Sequence, residues 1–160
     1  KENGEFLSLS ELKIKADTIS LDEVEREWEA QIERFLKSGL TLTHLDSHHH
    51  VHRLEPLIPI IEKLAKKYQV PVRDMDIEGI GKFSDIFLSD FYGSGVNFDY
   101  FNLLPKRIPK DVTVEIMSHP GYLDPIVWKN SSYNVERVKE VEILTNLSLN
   151  EEIELWSFQK

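Results

Sequence analysis

The feature that most constrains the fold of this chain is the alternation of helix-like segments with short runs typical of buried strands. Residues 21–38 repeat apolar side chains at helical spacing, and residues 40–45 then alternate as a β-strand does. The same order recurs as a helix over 54–68 and a strand over 70–73. Such alternation is typical of α/β folds with mainly parallel strands. Because these folds hold their chemistry at the carboxyl ends of the strands, functional residues are expected there.

Local signals support several of the segment boundaries. Ser20 and Glu23 form a capping box that begins the first helix, and Gly39 is expected to end it. Residues 111–117 alternate apolar and polar side chains, which predicts a strand that ends just before His119. A histidine is therefore expected at the end of a strand.

The remaining segments are predicted from shorter patterns. Ser84 can cap a helix through residues 86–88, and another helix is expected over about 96–104. A helix is also predicted over 134–146, and a last strand over 153–158. We therefore expect helices and strands to alternate in the second half as well.

The composition excludes several classes of function. With 160 residues, 41% of them hydrophobic and 29% charged, the chain is long enough for one compact domain and is not a disordered protein. The net charge of -9 and the lack of a basic run argue against a nucleic-acid partner. No Cys is present, so thiol nucleophiles and Cys-type zinc sites are excluded. Since no apolar run approaches the ~20 residues of a membrane span, we expect a soluble, cytoplasmic protein without a membrane partner.

Histidine is concentrated in one short segment, residues 44–52, which holds five of the six histidines. If this segment is extended, alternate side chains face one way and form one polar wall, made of His44, Asp46, His48, His50 and His52. Imidazole nitrogens and carboxylate oxygens suit divalent zinc, manganese, iron or cobalt. A helical segment would instead align His44, His48 and His52, and a solvated run of surface histidines is a third interpretation. If a metal binds, one or two of the histidines hold it and the others orient them or line the pocket.

Four further residues are candidates for contact with a substrate. His119 precedes a Pro-Gly turn at a strand end, where a loop histidine is either an ordinary surface residue or part of the same polar site. Arg73 also ends a predicted strand, as a surface ion-pair partner or as a binder of anions and hydroxyl groups. Tyr92 and Tyr122 are either packing residues or aromatic floors for sugar rings.

Two segments resemble the YdjC-like carbohydrate deacetylases, the family of the chitooligosaccharide deacetylases: THLDSHHHVH at 43–52 and EIMSHPGY at 115–122. The Phe-Tyr-Gly of residues 91–93 and the helix over 136–145 are also similar to that family. The resemblance runs over essentially the whole chain. It implies a distorted (β/α) barrel and a metal-dependent hydrolase that removes N-acetyl groups from short amino-sugar oligosaccharides.

The resemblance also implies roles for individual residues. The family's metal-binding histidine matches His48, and His50 lies at a motif position near the metal, so both are expected to bind a divalent ion. Magnesium or zinc is expected, with manganese or cobalt as alternatives. His119 matches a histidine with a general-acid or orienting role, and Asp46 is expected to share in catalysis. The substrate is expected to contact His52, Arg73, Tyr92 and Tyr122.

The chain departs from the family pattern in one major respect. Family members usually begin with a strand that ends in Asn-Ala-Asp-Asp-Phe-Gly, whose aspartates supply a metal ligand and a base, and they carry a second metal histidine in a Gly-x-His-Leu segment. Neither motif occurs in this sequence. We therefore expect residues 1–160 to form a single domain that is the C-terminal two-thirds of a larger barrel. Alone, it should bind metal weakly and show little or no deacetylase activity.

Two other functions are compatible with the residues. An amidohydrolase-like metal hydrolase would use the pair His48 and His50, although it would call for more downstream histidines than His119. A fragment that binds metal without catalysis is the second alternative. A barrel that lacks strands would expose apolar edges, so a second copy of the chain is a candidate partner beside the small oligosaccharide substrate.

Overall fold

The computed structural model describes residues 6–15 and 18–156. Its contacts divide the chain into two compact units, Lys1–Phe83 and Ser84–Lys160. The single domain over residues 1–160 stays a prediction. Among the described residues, no helix combines the length and the apolar character needed to cross a membrane.

The described part of the chain contains helices and short strands in mixed order. The helices are α1 (Leu9–Lys15), α2 (Leu21–Lys37), α3 (Ile58–Tyr68), α4 (Leu104–Arg107), α5 (Pro125–Asn130) and α6 (Val135–Thr145). The strands are β1 (Ile86–Leu88) and β2 (Val114–Ile116). Short 3₁₀ turns cover His48–Arg53, Glu55–Leu57 and Gly93–Gly95.

The strands β1 and β2 pair in parallel, with Ile86 opposite Val114 and Leu88 opposite Ile116. The predicted α/β class with parallel pairing is therefore confirmed. In the described residues the named strands form a sheet of two strands, so the (β/α) barrel stays a prediction.

Local sequence rules account for the first long helix. The Ser20 hydroxyl accepts a hydrogen bond from the Glu23 N–H at 3.3 Å, which satisfies one of the free donors at the start of α2. Gly39, with a φ of 82°, follows the end of the helix in the left-handed region that glycine adopts at low cost. The helix predicted over 21–38 is confirmed as α2.

The strands predicted at 40–45 and 70–73 are reduced to isolated parallel bridges, one between Leu45 and Val72 and one between Val72 and Lys82. The Leu45 N–H donates to the Pro71 carbonyl at 2.9 Å, and the Arg73 N–H donates to the Leu45 carbonyl at 2.9 Å. The second segment is short because left-handed residues flank it, Gln69 with φ 54° and Asp74 with φ 52°. Leu45 and Val72 are buried in the core that α2 and α3 cover.

The prediction of a helix through residues 86–88 is wrong, since they form β1. Asp85 and Thr113 lock the beginning of this strand pair: the Thr113 N–H donates to the Asp85 carboxylate at 2.7 Å, and the Asp85 N–H donates to the Thr113 hydroxyl at 3.0 Å. Ser84 therefore does not cap a helix, because these contacts with a distant strand fix the segment as β1.

The helix predicted over 96–104 is also wrong, because α4 begins only at Leu104. The Asn97 side chain bonds instead to local backbone groups, accepting from the Asp99 N–H at 3.1 Å, and so favours a turn. The helix predicted over 134–146 is confirmed as α6. Residues 153–156 form no strand, and the rest of the predicted strand at 153–158 lies outside the described residues.

The helix α5 was not predicted, although its start carries a clear signal. The Asp124 carboxylate accepts hydrogen bonds from the N–H groups of Ile126 and Val127 at 2.8 and 2.7 Å. Pro125 then occupies the first helical position, where a missing N–H has no cost. An Asp-Pro pair is therefore the sequence feature that marks this helix.

Each unit has its own apolar core. In the first unit, α3 provides the centre of the core with Ile61, Leu64 and Ala65, all at most 4% exposed. In the second unit, aromatic side chains dominate, and the Phe91 ring lies 4.8 Å from the Tyr100 ring and 5.1 Å from the Phe101 ring. The buried Phe91 therefore anchors the loop that carries Tyr92.

The loop after Phe91 turns back so closely that only glycine fits at its end. A Cβ atom added at Gly95 would overlap the backbone carbonyl oxygen of Asp90, which cannot move as a side chain can. We expect Gly95→Ala to lower the free energy of unfolding of the second unit by ~1–3 kcal/mol, because the backbone must shift. Urea denaturation followed by the amide NMR signals of this unit measures the change.

Gly121→Ala is the matched control, since an added Cβ there would meet its nearest atom, the Arg137 Cδ, at an ordinary 3.8 Å. It should change the free energy of unfolding by less than about 0.5 kcal/mol. Equal effects of the two substitutions would contradict this account of the loop.

Candidate active-site residues

The histidine segment turns at His48, and before that point only Leu45 pairs as a strand does. Residues His48–Arg53 form a 3₁₀ turn in which His49 and His50 adopt left-handed backbone, with φ 54° and 53°. The expected extended segment with one polar wall is therefore wrong, and so is its helical alternative. His44 lies apart from the turn, with its ring stacked on Phe83 at 3.9 Å. The Ser47 hydroxyl accepts the His52 N–H at 3.0 Å, and this bond closes the turn.

His52 holds the turn in place from within. Its side chain is fully buried, at 0% exposure. Because a carbonyl oxygen only accepts, Nε2 carries the proton that is donated to the Arg73 carbonyl at 3.3 Å. Nδ1 then accepts the Ser47 hydroxyl at 2.7 Å. Burial lowers the pKa of His52, which favours this neutral ring.

The two ring hydrogen bonds of His52 compete with its predicted contact to a substrate. Direct contact of His52 with a substrate would require one of its two ring hydrogen bonds to break. In this structure the ring fastens the turn to Arg73.

Two ion pairs flank the turn. The Arg73 guanidinium contacts the Asp46 carboxylate, and Arg53 contacts Asp74 at 2.6 Å. The predicted catalytic carboxylate and the predicted substrate-binding arginine thus form an ion pair with each other. The Asp46 side chain is 45% exposed, so water and solutes can reach its second oxygen.

The two predicted metal ligands differ in their surroundings. His48 is exposed, and its ring lies 4.0 Å from the His49 ring. His50 is half-buried, and burial followed by the positive charges of Arg73 and Arg53 lowers its pKa. A lowered pKa favours the neutral imidazole, which is the form that binds metals.

The described residues do not assemble a metal site by themselves. Across residues 6–15 and 18–156, no three His, Asp or Glu side chains converge as ligands of one ion. The Asp46 carboxylate is shared with Arg73, and both ring nitrogens of His52 are engaged. The predicted metal-binding role of His48 and His50 stays a prediction.

A cleft of about 1,110 Å³ lies in the first unit beside the turn. Its lining includes apolar side chains from α1 and α2, among them Leu12, Val24 and Trp28. Polar residues of the histidine segment form part of its lining, among them Asp46 and His48. The two side chains therefore face a space large enough to admit a ligand.

In the second unit, His119 belongs to an aromatic cluster. The Tyr92 and Tyr133 rings are stacked at 4.2 Å with an interplanar angle of 8°. The His119 ring meets both nearly edge-on, 5.5 Å from Tyr92 and 5.8 Å from Tyr133. Tyr92 remains 47% exposed, so this cluster offers an aromatic surface beside an imidazole. Tyr122, the other predicted sugar contact, is 79% exposed.

Three residues beside His119 were missed in the sequence analysis: Tyr133, Arg137 and Glu140. Glu140 is fully buried and accepts hydrogen bonds from the His119 N–H and the Tyr133 hydroxyl. Arg137 donates to the carbonyls of His119 and Tyr133, at 3.2 and 2.8 Å. Their signal is periodicity, since Tyr133, Arg137 and Glu140 continue the buried face of Ile143 at helical spacing.

The buried His52 predicts a pH-dependent stability. The folded-state pKa of His52 is lowered, so the unfolded chain binds more protons below about pH 6.5. The stability that the neutral His52 ring provides is fully present above about pH 6.5 and is lost as the pH falls through the lower pKa that His52 has in the folded state. We expect the free energy of unfolding to fall between pH 7.5 and 5.0 in the presence of EDTA, and to fall less in His52→Gln. Urea denaturation measures both.

His49→Asn is the control, because His49 is exposed and Asn tolerates left-handed backbone. This variant should keep the wild-type dependence on pH. The interpretation of His52 fails if His52→Gln is as sensitive to pH as the wild type.

Comparison with known proteins identifies close relatives. The chain is 46% identical to a carbohydrate deacetylase of Halalkalibacterium halodurans, over 95% of this chain and 66% of the relative. It is 42% identical to one of Oceanobacillus iheyensis, over 96% of this chain and 67% of the relative. The chain thus spans about two thirds of the length of these relatives.

A solved structure and a family model also match. The crystal structure of a candidate cellobiose-phosphate cleavage protein from Enterococcus faecalis V583 superposes with a TM-score of 0.76 and 35% identity, over 92% of this chain and 60% of that one. The model of the YdjC-like protein family matches residues 1–154. Since this match covers almost the whole sequence, the chain belongs to the YdjC-like protein family.

Proposed function

We propose that this chain is part of a hydrolase that removes acetyl groups from amino sugars. The observation that carries the proposal is its identity of 42–46% to two relatives named carbohydrate deacetylase, over at least 95% of this chain. The matched region includes both histidine turns. The activity belongs to proteins of the relatives' full length, and the chain contributes the residues described above.

Short oligomers of N-acetylated amino sugars are the proposed substrates. The half-exposed Tyr92 ring supports this choice, since the apolar face of a pyranose ring packs on aromatic side chains. The His119 ring lies 5.5 Å from Tyr92, so a sugar on this surface would present its substituents to an imidazole. Tyr122 is proposed as a further contact because its ring is exposed next to the His119 turn.

His119 is proposed to protonate the leaving amine. Hydrolysis of an acetamide requires water to add to the carbonyl carbon, the C–N bond to break and the amine nitrogen to gain a proton. An imidazolium is well suited to donate that proton near neutral pH. The half-buried position of His119 at the end of the segment after β2 lets the ring reach a bound sugar while its backbone is held.

A divalent metal, magnesium or zinc with manganese or cobalt as alternatives, stays part of the proposal through the resemblance of the histidine segment. The proposed ligands are His48 and His50, and Asp46 is the proposed second catalytic group. The described side chains do not gather three ligands, so no catalytic step is assigned to the ion. Self-association also stays a prediction.

Cleavage of a phosphorylated disaccharide is the second candidate function. It is favoured by the structural match to the Enterococcus faecalis V583 protein, whose description names cellobiose-phosphate cleavage. Arg73 suits a phosphate or hydroxyl group, although its guanidinium already contacts Asp46. Release of acetate and release of glucose distinguish the two functions.

Acetate release from N,N'-diacetylchitobiose tests the proposed function. The assay uses the chain alone and a chimera in which the chain replaces the matching part of the Halalkalibacterium halodurans relative, each with Mg²⁺, Zn²⁺, Mn²⁺ or Co²⁺. We expect little or no turnover by the chain alone and clear turnover by the chimera. In the chimera, His119→Ala should lower turnover by about 100-fold or more, because it removes the proton donor.

Glu142→Gln is the control, since Glu142 is an exposed residue of α6. It should leave turnover unchanged. A chimera that is folded, as shown by a cooperative thermal transition, but releases no acetate would contradict the proposed function. Release of glucose from cellobiose phosphate would favour the second candidate function.

A further inference from the structure

Two charged side chains of α6 reach the backbone of one residue, His119. The Glu140 carboxylate accepts the His119 N–H, and the Arg137 guanidinium donates to the His119 carbonyl at 3.2 Å. The Arg137 carbonyl in turn accepts the Gly121 N–H at 3.3 Å. Residues 137 and 140 lie one helical turn apart, so one face of α6 holds both polar groups of His119.

Burial of the Glu140 carboxylate costs free energy unless hydrogen bonds compensate for the lost hydration. A fully buried carboxylate loses its hydration and requires hydrogen bonds in return. Both of its oxygens are engaged, one by the His119 N–H and the other by the Tyr133 hydroxyl. Apolar residues of similar volume often stabilise a fold as well as buried charges do. Orientation of the His119 turn is therefore a better explanation of Glu140 than stability alone.

Tyr133 extends this support to the loop of Tyr92. Its hydroxyl donates to Glu140 and accepts the Gly93 N–H at 3.4 Å. Its ring lies under Tyr92, parallel to it at 4.2 Å. One buried carboxylate is thus connected to both the imidazole and the exposed aromatic ring.

We propose that Glu140 and Arg137 are positioning residues that fix the His119 ring against Tyr92. The functional meaning of this inference rests on the proposed role of His119 in acetyl removal. The geometric part concerns only the orientation of the His119 turn and can be measured without a substrate.

Glu140→Gln tests the inference by NMR. Gln keeps the size of the side chain but has one acceptor oxygen, for which the His119 N–H and the Tyr133 hydroxyl must compete. We expect hydrogen exchange of the His119 amide to become about tenfold faster or more. The nuclear Overhauser effect between the His119 and Tyr92 rings should weaken, whereas exchange at Ile143 in α6 should stay within about twofold of the wild type.

Glu142→Gln is the matched control on the same helix, where the side chain is exposed, and it should change none of these signals. Arg137→Lys is the second variant, which keeps the buried Glu140 carboxylate and loses the planar guanidinium. It should also weaken the nuclear Overhauser effect between the His119 and Tyr92 rings. If Glu140→Gln does not fold, the same NMR measurements on Arg137→Lys test the inference.

Two results would overturn the inference. One is His119 exchange within about twofold of the wild type in Glu140→Gln, with the contact between the rings unchanged. The other is equal acceleration at His119 and Ile143, which would make Glu140 a residue of general stability. Absence of acetate release by the chimera would count against the proposed function and leave the NMR result standing.

Discussion

Both histidine turns depend on one constraint, that buried main-chain N–H and C=O groups need hydrogen-bond partners. In the turn at His48–Arg53, the Ser47 hydroxyl accepts the His52 N–H, and the His52 ring donates to the main-chain carbonyl of Arg73 outside the turn. The His119 turn takes its partners from α6, through Glu140 and Arg137. In each case a buried polar side chain fixes a turn that carries a more accessible imidazole. The residues that hold each turn are thus different from the histidines proposed to act in it.

The same division explains which parts of the fold were predictable. Helix α2 follows from nearby residues, because the Ser20 cap and Gly39 lie at its ends and its apolar spacing is regular. The strand β1 does not, since its start is fixed by Thr113, which is distant in sequence. Local patterns predict an element well when its stabilising contacts are local, and they fail when a distant partner provides them.

The candidate site shows the same limit. Sequence motifs identify His48, His119 and Tyr92 as candidates. The extended segment expected around His48 is wrong, because the Ser47 hydroxyl accepts the His52 N–H and closes a turn. Glu140 was missed because a Glu in a charged helix is ordinarily a solvated residue, whereas here it lies on the buried face. The helical spacing that Glu140 shares with Ile143 is the sequence signal of this buried position.

The proposed function requires an N-acetylated sugar to contact the surface formed by Tyr92 and His119. The direct test is an NMR titration of the chain with N,N'-diacetylchitobiose, with cellobiose as the sugar that lacks the acetamido groups. We predict amide shifts concentrated at Tyr92 and His119 that are larger for the acetylated sugar. Shifts confined to other residues, or equal shifts with both sugars, would contradict the account.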